Sequence, residues 1–137
     1  MPDKILLIVD DQESVCRLLE FSLQTWAENN NVKILTAPSA PAALVILKNN
    51  SSAINVLITD QKMPKKSGLE LIKIVTEKYP DAVSILMTGY SDFAELEVII
   101  DAGLFAFIKK PWTIEKMTNT VQRALKYAEL KYNSRIQ

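Results

Sequence analysis

Residues 5–11 read ILLIVDD, so five apolar residues lead directly into two carboxylates. Four further apolar runs occupy residues 32–35, 56–58, 83–87 and 105–108. Segments with helical periodicity separate the five runs. Short runs rich in β-branched residues that alternate with helical segments are typical of a parallel sheet with helices on both faces. The chain is therefore predicted to be a doubly wound α/β protein with a five-stranded parallel sheet.

Polar side chains follow four of these runs, and they are Asp10, Asp11, Asp60, Thr88 and Lys110. The carboxyl ends of the strands form the ligand crevice of such a sheet, so these side chains are expected to converge. Crowded carboxylates repel one another unless a cation neutralises them, whereas a hydroxyl and an ammonium together bind an anion. The predicted pocket therefore suits a divalent metal ion and a phosphoryl group together.

The composition predicts a single domain made of residues 1–137, because this length forms one core and 48% of the residues are hydrophobic. Lysine plus arginine equals aspartate plus glutamate at 16 each. With no net charge, the chain has no overall electrostatic field that would attract nucleic acid or an anionic membrane, and we expect neither as a direct partner. The apolar run at residues 5–9 is too short for a signal peptide core or a membrane span, so a cytoplasmic protein is expected.

The chain contains no histidine. This excludes Ser-His-Asp hydrolases, Cys-His proteases and zinc sites with histidine ligands. In any phosphorelay the chain would therefore act on the aspartate side. The single cysteine, Cys16, lies among apolar residues of the first helical segment, where a buried, reduced thiol is expected.

Capping residues and regularly spaced apolar residues predict the first three helices. Asp11 is expected to cap the first helix, and Ser67 with Glu70 has capping-box spacing at the start of the third, which Pro80 closes. The stripes expected to face the sheet are Val15, Leu18, Leu19, Leu23 and Trp26 in the first helix, Ala43, Leu44 and Leu47 in the second, and Leu71, Ile72 and Val75 in the third.

Two more helices are predicted near the end of the chain. The fourth begins near Ser91 and stops at Gly103, a residue that suits a helix C-terminus. The fifth begins at Thr113 and continues to about Asn133. Its expected inward residues are Ile114, Met117, Val121, Ala124, Leu125 and Ala128. From about Tyr127 this helix is expected to extend beyond the core, as a linker to an output domain or as the seam of a homodimer.

Four motifs follow the predicted strands, namely Val9-Asp10-Asp11, TDQKMPKKSG at residues 59–68, Met87-Thr88-Gly89 and Lys109-Lys110-Pro111-Trp112. In this order they resemble the receiver domain of bacterial two-component response regulators, over about residues 4–127. The resemblance implies a flavodoxin-like fold with strand order 2-1-3-4-5 and five helices. It also implies a phosphorylation-dependent switch that catalyses only its own phosphorylation and dephosphorylation, and no reaction of a separate substrate.

The resemblance assigns roles to the converging residues. Asp60 is the phosphoacceptor, and Thr88 and Lys110 bind the phosphoryl group. Asp11, Asp60 and the backbone carbonyl of Lys62 bind Mg²⁺, for which Mn²⁺ can substitute, while Asp10 acts mainly through water. The Lys110–Pro111 bond is expected to be cis, with Lys109 on the opposite face of the strand.

The resemblance also implies how a signal would leave the site. Thr88 and Phe107 are the switch residues, and they relay the phosphorylated state to the face formed by helix four, strand five and helix five. Lys62, Gly89 and Tyr90 flank the site. The expected partners are a sensor histidine kinase or a histidine phosphotransfer protein, and a downstream effector or output domain.

Three alternatives remain at this stage. A phosphatase of the haloacid dehalogenase type also uses an aspartyl phosphate and Mg²⁺, but it requires an acid at the position of Lys62. A flavodoxin-like flavin carrier requires a phosphate-binding loop after the first strand, where Asp10, Asp11 and Gln12 would repel a phosphate. A receiver-like protein that is not phosphorylated is disfavoured by the intact acids, Thr88 and Lys110.

Overall fold

The computed structural model describes residues 2–89 and 103–136, and within them five strands alternate with four helices. The strands are β1 Lys4–Val9, β2 Val32–Ala37, β3 Ile54–Asp60, β4 Val83–Thr88 and β5 Ala106–Lys109. The helices are α1 Glu13–Asn29, α2 Ala40–Asn49, α3 Gly68–Lys78 and α4 Ile114–Ile136. Helix α4 is thus the fifth helix predicted from the sequence. The segment predicted as the fourth helix, from Ser91, lies outside the described residues except at its end, where Gly103 has a φ of 88°.

The five strands form one parallel sheet in the order β2-β1-β3-β4-β5, which confirms the predicted fold class. The pairing register aligns the carboxyl ends of the strands. Val9 lies opposite Thr59, Asp60 opposite Met87, and Thr88 opposite Lys109. The residues that follow each strand leave the sheet at the same edge, so this register brings the polar residues at four strand ends together.

Two apolar layers cover the sheet, one on each face. Alternate residues of the central strands point to opposite faces, so Leu6 and Ile58 pack with α1 and α4 while Leu7 and Leu57 pack with α2 and α3. Strand β3 is buried along its whole length. A strand covered by helices on both faces has no solvent side, which explains the uninterrupted apolar run 56–58 at its centre.

Side-chain caps fix where three of the helices begin. Ser67 Oγ accepts from the backbone N–H of Glu70 at 3.1 Å, and the Glu70 carboxylate accepts from the N–H of Ser67 at 3.3 Å, so the predicted capping box is confirmed. Ser39 Oγ accepts from Ala42 N–H in α2, and Thr113 Oγ1 accepts from Lys116 N–H in α4. These acceptors satisfy N–H groups that have no partner inside the helix.

The prediction that Asp11 caps α1 is wrong. The N-cap position is Gln12, which has an extended backbone and makes no side-chain cap hydrogen bond. The carboxylate of Asp10 accepts from the backbone N–H of this N-cap residue, Gln12, at 2.9 Å. Asp11 is left exposed, beside the sheet end rather than at a cap.

Two apolar residues predicted to face the core are exposed. Leu18 is 54% exposed because the buried stripe of α1 passes through Cys16, Leu19 and Leu23, which turns Leu18 outward. Ile114, in the first turn of α4, is 59% exposed, whereas Met117 one turn later is fully buried. Cys16 is a buried free thiol, as expected, and burial raises its pKa.

Helix α4 has 23 residues, a length of about 34 Å at ~1.5 Å per residue. Ala128 is buried and Tyr132 packs against the core, so core contacts continue past residue 127. Polar contacts hold its last turns near the amino ends of the strands, and they join Lys4 with Glu129, Lys131 with the carbonyl of Pro80, and Arg135 with Asp81. No helix among the described residues is long and apolar enough to cross a membrane.

Candidate functional site

An open cleft of about 890 Å³ lies at the carboxyl end of the sheet. The residues around it come from the ends of β1, β3, β4 and β5 and from the loop between β3 and α3. Those that carry its charge or reactivity are Asp11, Asp60, Lys62, Thr88 and Lys110. The sequence predicted that Asp10, Asp11, Asp60, Thr88 and Lys110 converge. All of these except Asp10 line the cleft, and Asp10 lies beside it in the acidic cluster described below.

Asp60 is the last residue of β3 and is 8% exposed. One of its carboxylate oxygens, Oδ1, accepts from Lys110 Nζ at 2.7 Å. Helix α3 does not begin until Gly68 and is capped by Ser67, so the Asp60 carboxylate is not used as a helix cap. The intervening loop turns at Lys65, whose φ is 72°. Asp60 therefore faces the cleft with its second oxygen available for chemistry.

Three carboxylates meet beside this ion pair. One ligand oxygen from each of Asp10, Asp11 and Asp60 lies within 4.8 Å of the others. Asp10 is 1% exposed, and its burial raises the pKa of its carboxyl group above the ordinary value. The Gln12 N–H opposes this shift, and the charge of Asp60 adds to it. Like charges this close are stable together only when a cation or a proton compensates them.

The donor set fits a hard divalent cation. Asp10 Oδ2 is buried and has no hydrogen-bond partner among the described residues, while Asp11 presents an exposed carboxylate next to it. A buried carboxylate oxygen without a partner costs free energy, so this oxygen is suited to a bound ion or its water. Ligands that are all oxygen favour Mg²⁺ over a soft metal.

Thr88 and Lys110 lie on the other side of Asp60. Thr88 ends β4 and is 8% exposed, and its backbone carbonyl accepts from Lys110 N–H at 2.8 Å. Lys110 precedes a cis bond to Pro111. Lys110 is the lysine that pairs with Asp60, whereas the neighbouring Lys109 is exposed. The Lys110 ammonium thus pairs with Asp60, and Thr88 lines the same cleft.

The flanking positions differ in bulk. A Cβ atom added to Gly89 would meet no described atom within 4 Å, so this side of the cleft is open. Lys62 is exposed and lines the cleft. Phe107 lies on β5 opposite Leu86 and is 45% exposed. Tyr90, the other residue expected to flank the site, lies outside the described residues.

Two residues of the site were not singled out from the sequence. Gln61 follows Asp60 and hydrogen-bonds to both β4 and α3. Gly68 begins α3, and a Cβ atom there would lie 2.2 Å from the carbonyl oxygen of Asp60. Only glycine permits so close an approach of two backbone segments. Neither role leaves a local sequence signal, because both depend on contacts between segments.

Comparison with known proteins identifies the chain by family. A family model described as the response regulator receiver domain matches residues 6–122. A chemotaxis protein CheY homolog from Campylobacter jejuni is 32% identical over 122 residues, which cover 88% of this chain and 91% of that protein. The hydrogenase transcriptional regulatory protein HoxA from Cupriavidus necator is 31% identical over 91% of this chain. This chain spans only about a quarter of HoxA, since the match covers 25% of its length.

Solved structures agree with the sequence matches. A response regulator receiver domain protein from Clostridium thermocellum superposes with a TM-score of 0.81 at 28% identity, covering 93% of this chain and 98% of that one. The structure described as FixJ-N has a TM-score of 0.76 at 31% identity, covering 92% and 96%. Fold and sequence therefore lead to the same family.

Proposed function

This chain belongs to the response regulator receiver domain family, and we propose that it is a signalling switch in which Asp60 accepts a phosphoryl group. The observation that carries the proposal is the Asp60 carboxylate, which is paired with Lys110 and lies within 4.8 Å of Asp10 and Asp11. Family membership sets aside the phosphatase and flavin-carrier alternatives. We take residues 1–137 as one receiver domain that acts in the cytoplasm.

The phosphoryl donor is a phosphohistidine on a sensor histidine kinase or a histidine phosphotransfer protein. A carboxylate oxygen of Asp60 attacks the phosphorus, so a P–O bond forms while the P–N bond to the imidazole breaks. The electron pair of the broken bond stays on the imidazole, which takes a proton from solvent. Lys110 and the Thr88 hydroxyl donate to the phosphoryl oxygens, which gain charge as the group is transferred.

Asp11, Asp60 and the backbone carbonyl of Lys62 would hold Mg²⁺ or Mn²⁺, with Asp10 acting through water. The bound ion supplies positive charge that offsets the charge on the transferred group. The fold places these oxygens at the carboxyl end of the sheet and keeps Asp10 buried beside them. The orphaned Asp10 Oδ2 supports this role, because the ion or its water would satisfy it.

The phosphorylated state would be transmitted through Thr88 and Phe107. The Thr88 hydroxyl moves toward the phosphoryl group, and the Phe107 ring turns inward into the space that it leaves. Phe107 is 45% exposed without the phosphoryl group, so such a rotation would change the surface of β5 and its neighbours. A downstream effector or an output domain would read this surface, as would a second copy in a homodimer.

The test of the proposal is phosphorylation of wild type and Asp60→Asn by a small phosphodonor, with and without Mg²⁺, followed by intact mass and peptide mapping. Wild type should gain one phosphoryl group only with Mg²⁺, and Asp60→Asn should gain none while keeping the wild-type circular dichroism. Asp3→Asn, a remote control, should behave as wild type. Stoichiometric phosphorylation of the Asp60→Asn protein at another residue would overturn the assignment.

A further inference from the structure

Gln61, the residue after Asp60, connects three segments of the site. Its backbone N–H donates to the carbonyl of Met87 in β4 at 3.1 Å. Its backbone carbonyl accepts from Gly68 N–H at 3.0 Å, and its side-chain Oε1 accepts from Leu69 N–H at 2.9 Å. One residue therefore ties the end of β3 to the neighbouring strand and to the first two residues of α3.

These contacts close the loop that borders the cleft. Residues 62–67 leave β3 after Gln61 and return to it through the two hydrogen bonds from Gly68 and Leu69. The loop is compact inside as well, since Lys66 N–H donates to the Pro64 carbonyl at 2.9 Å. Its conformation decides where the backbone carbonyl of residue 62 points. A hydrogen bond that fixes both ends of a short loop restricts that direction.

The amino end of α3 also lies directly against the phosphoacceptor. A Cβ atom at Gly68 would be 2.2 Å from the Asp60 carbonyl oxygen, so these backbones have no room to move closer. The hydrogen bonds from Gly68 N–H to the Gln61 carbonyl and from Leu69 N–H to Gln61 Oε1 both oppose their separation. The close contact limits how near the start of α3 can come to Asp60, and the hydrogen bonds to Gln61 limit how far it can move away.

We propose that Gln61 is a positioning residue for the metal and phosphoryl chemistry of Asp60. Its side-chain oxygen keeps the Asp60 carboxylate and the Lys62 carbonyl in the orientation that binds a divalent cation. This inference rests on the proposed function. It differs from simple capping of α3, which the capping box of Ser67 and Glu70 already provides.

The decisive variants are Gln61→Met, Gln61→Glu and Glu70→Ala. Methionine keeps the length of the side chain and removes the acceptor. Glutamate keeps an acceptor for Leu69 N–H at the positive end of the helix. Glu70→Ala removes half of the capping box of the same helix but touches neither Asp60 nor Gln61. It therefore controls for a loss of helix stability alone.

Mg²⁺ affinity is measured by titration without a phosphodonor, and the rate of phosphorylation is measured at saturating Mg²⁺. Gln61→Met should weaken Mg²⁺ binding about tenfold, the lower range for loss of a group that orients metal ligands. It should also slow phosphorylation and speed hydrogen exchange at Leu69 N–H. Gln61→Glu should keep most of the wild-type rate of phosphorylation, although its added negative charge repels an anionic phosphodonor. Glu70→Ala should leave affinity and rate within about twofold of wild type, because exposed substitutions have small effects.

Equal Mg²⁺ affinities for Gln61→Met and wild type would overturn the inference, and so would equal losses in Gln61→Met and Glu70→Ala. The affinity is measured on a protein that has not been phosphorylated. It therefore tests Gln61 even if wild type takes up no phosphoryl group, a result that would instead reject the proposed function.

Discussion

Asp10 shows how a residue can be kept at a cost to stability. Its carboxyl group is buried, one of its oxygens has no partner among the described residues, and its pKa is raised by burial and by the charge of Asp60. When the folded pKa of an acid exceeds its ordinary value of 3.8, the folded state binds more protons than the unfolded state. Stability then falls as the pH rises from that ordinary value through the raised pKa.

Asp10→Asn should therefore stabilise the protein in chelator at neutral pH. The amide keeps an acceptor for Gln12 N–H and removes a buried charge, and we expect a gain of about 1–2 kcal/mol, the scale of an unsatisfied buried group. The gain should vanish on acidification below the ordinary range of aspartate. Thermal melts across this pH range measure it.

Mg²⁺ should offset most of the stability difference between the two proteins. At ten times its dissociation constant it adds ~1.4 kcal/mol to wild type by mass action, whereas Asp10→Asn should respond weakly. If Asp10→Asn melts at a lower temperature than wild type in chelator at neutral pH, the three carboxylates do not destabilise the folded protein by repulsion.

Lys62 is the described side chain placed to affect how long the phosphoryl group persists. It lines the cleft and carries no carboxylate or amide that would orient an attacking water. Lys62→Asn should speed loss of the phosphoryl group several-fold, because the amide oxygen can orient the attacking water by a hydrogen bond. Lys66→Asn, in the same loop but not lining the cleft, is the control. Decay curves under saturating Mg²⁺ that coincide for all three proteins would show that Lys62 does not influence the water.

At the scale of elements, the junction of β3 and α3 has the least room for change. A Cβ atom at Gly68 would lie 2.2 Å from the Asp60 carbonyl oxygen and 2.9 Å from Leu86 Cδ1. Gly68→Ala should cost at least ~1–3 kcal/mol, the range for overpacked sites, because a backbone oxygen cannot rotate away. Gly89→Ala should stay within ~0.5 kcal/mol, since no described atom lies within 4 Å of its added methyl group. Urea unfolding of both variants compares them, and similar losses would contradict the argument.

The elements also show what a sequence can and cannot predict. The strands and the α3 capping box were predicted correctly because apolar runs and cap residues act locally. The α1 stripe was wrong at Leu18, since several apolar residues on one helix fit more than one face and only packing selects between them. The cap was wrong at Asp11 because the competing Asp10 carboxylate reaches Gln12 from the strand end. Gln61 left no pattern at all, since its partners, Met87 and Leu69, are set by the fold.

At the scale of the whole molecule, the two ends of the sheet have different tasks. The carboxyl end gathers the acidic cluster and its lysine, whereas the amino end receives the last turns of α4. Tyr127 stacks on Phe105 with ring centroids 5.3 Å apart, which links α4 to the segment leading into β5. Helix α4 therefore packs against the segment that leads into the strand on which Phe107 lies.

The last turns of α4 are held by two kinds of contact, and their energies differ. Arg135 pairs with Asp81, but the side chains are 66% and 40% exposed, and exposed ion pairs contribute only about 0–1 kcal/mol. Tyr132 is half-buried and packs against the core. Its burial should contribute more than the ion pair, though less than the ~3–5 kcal/mol of a fully buried aromatic residue.

Tyr132→Ala should therefore lower the free energy of unfolding by about 1–2 kcal/mol. Arg135→Gln should change it by less than ~0.5 kcal/mol, and this small difference should disappear in high salt because salt screens the ion pair. Urea unfolding at low and high ionic strength measures both. Amide exchange in the last two turns should rise in Tyr132→Ala and remain near wild type in Arg135→Gln. If Arg135→Gln proved the more damaging variant, the polar contacts to Asp81 would hold the end of α4, and its direction beyond the sheet would depend on salt.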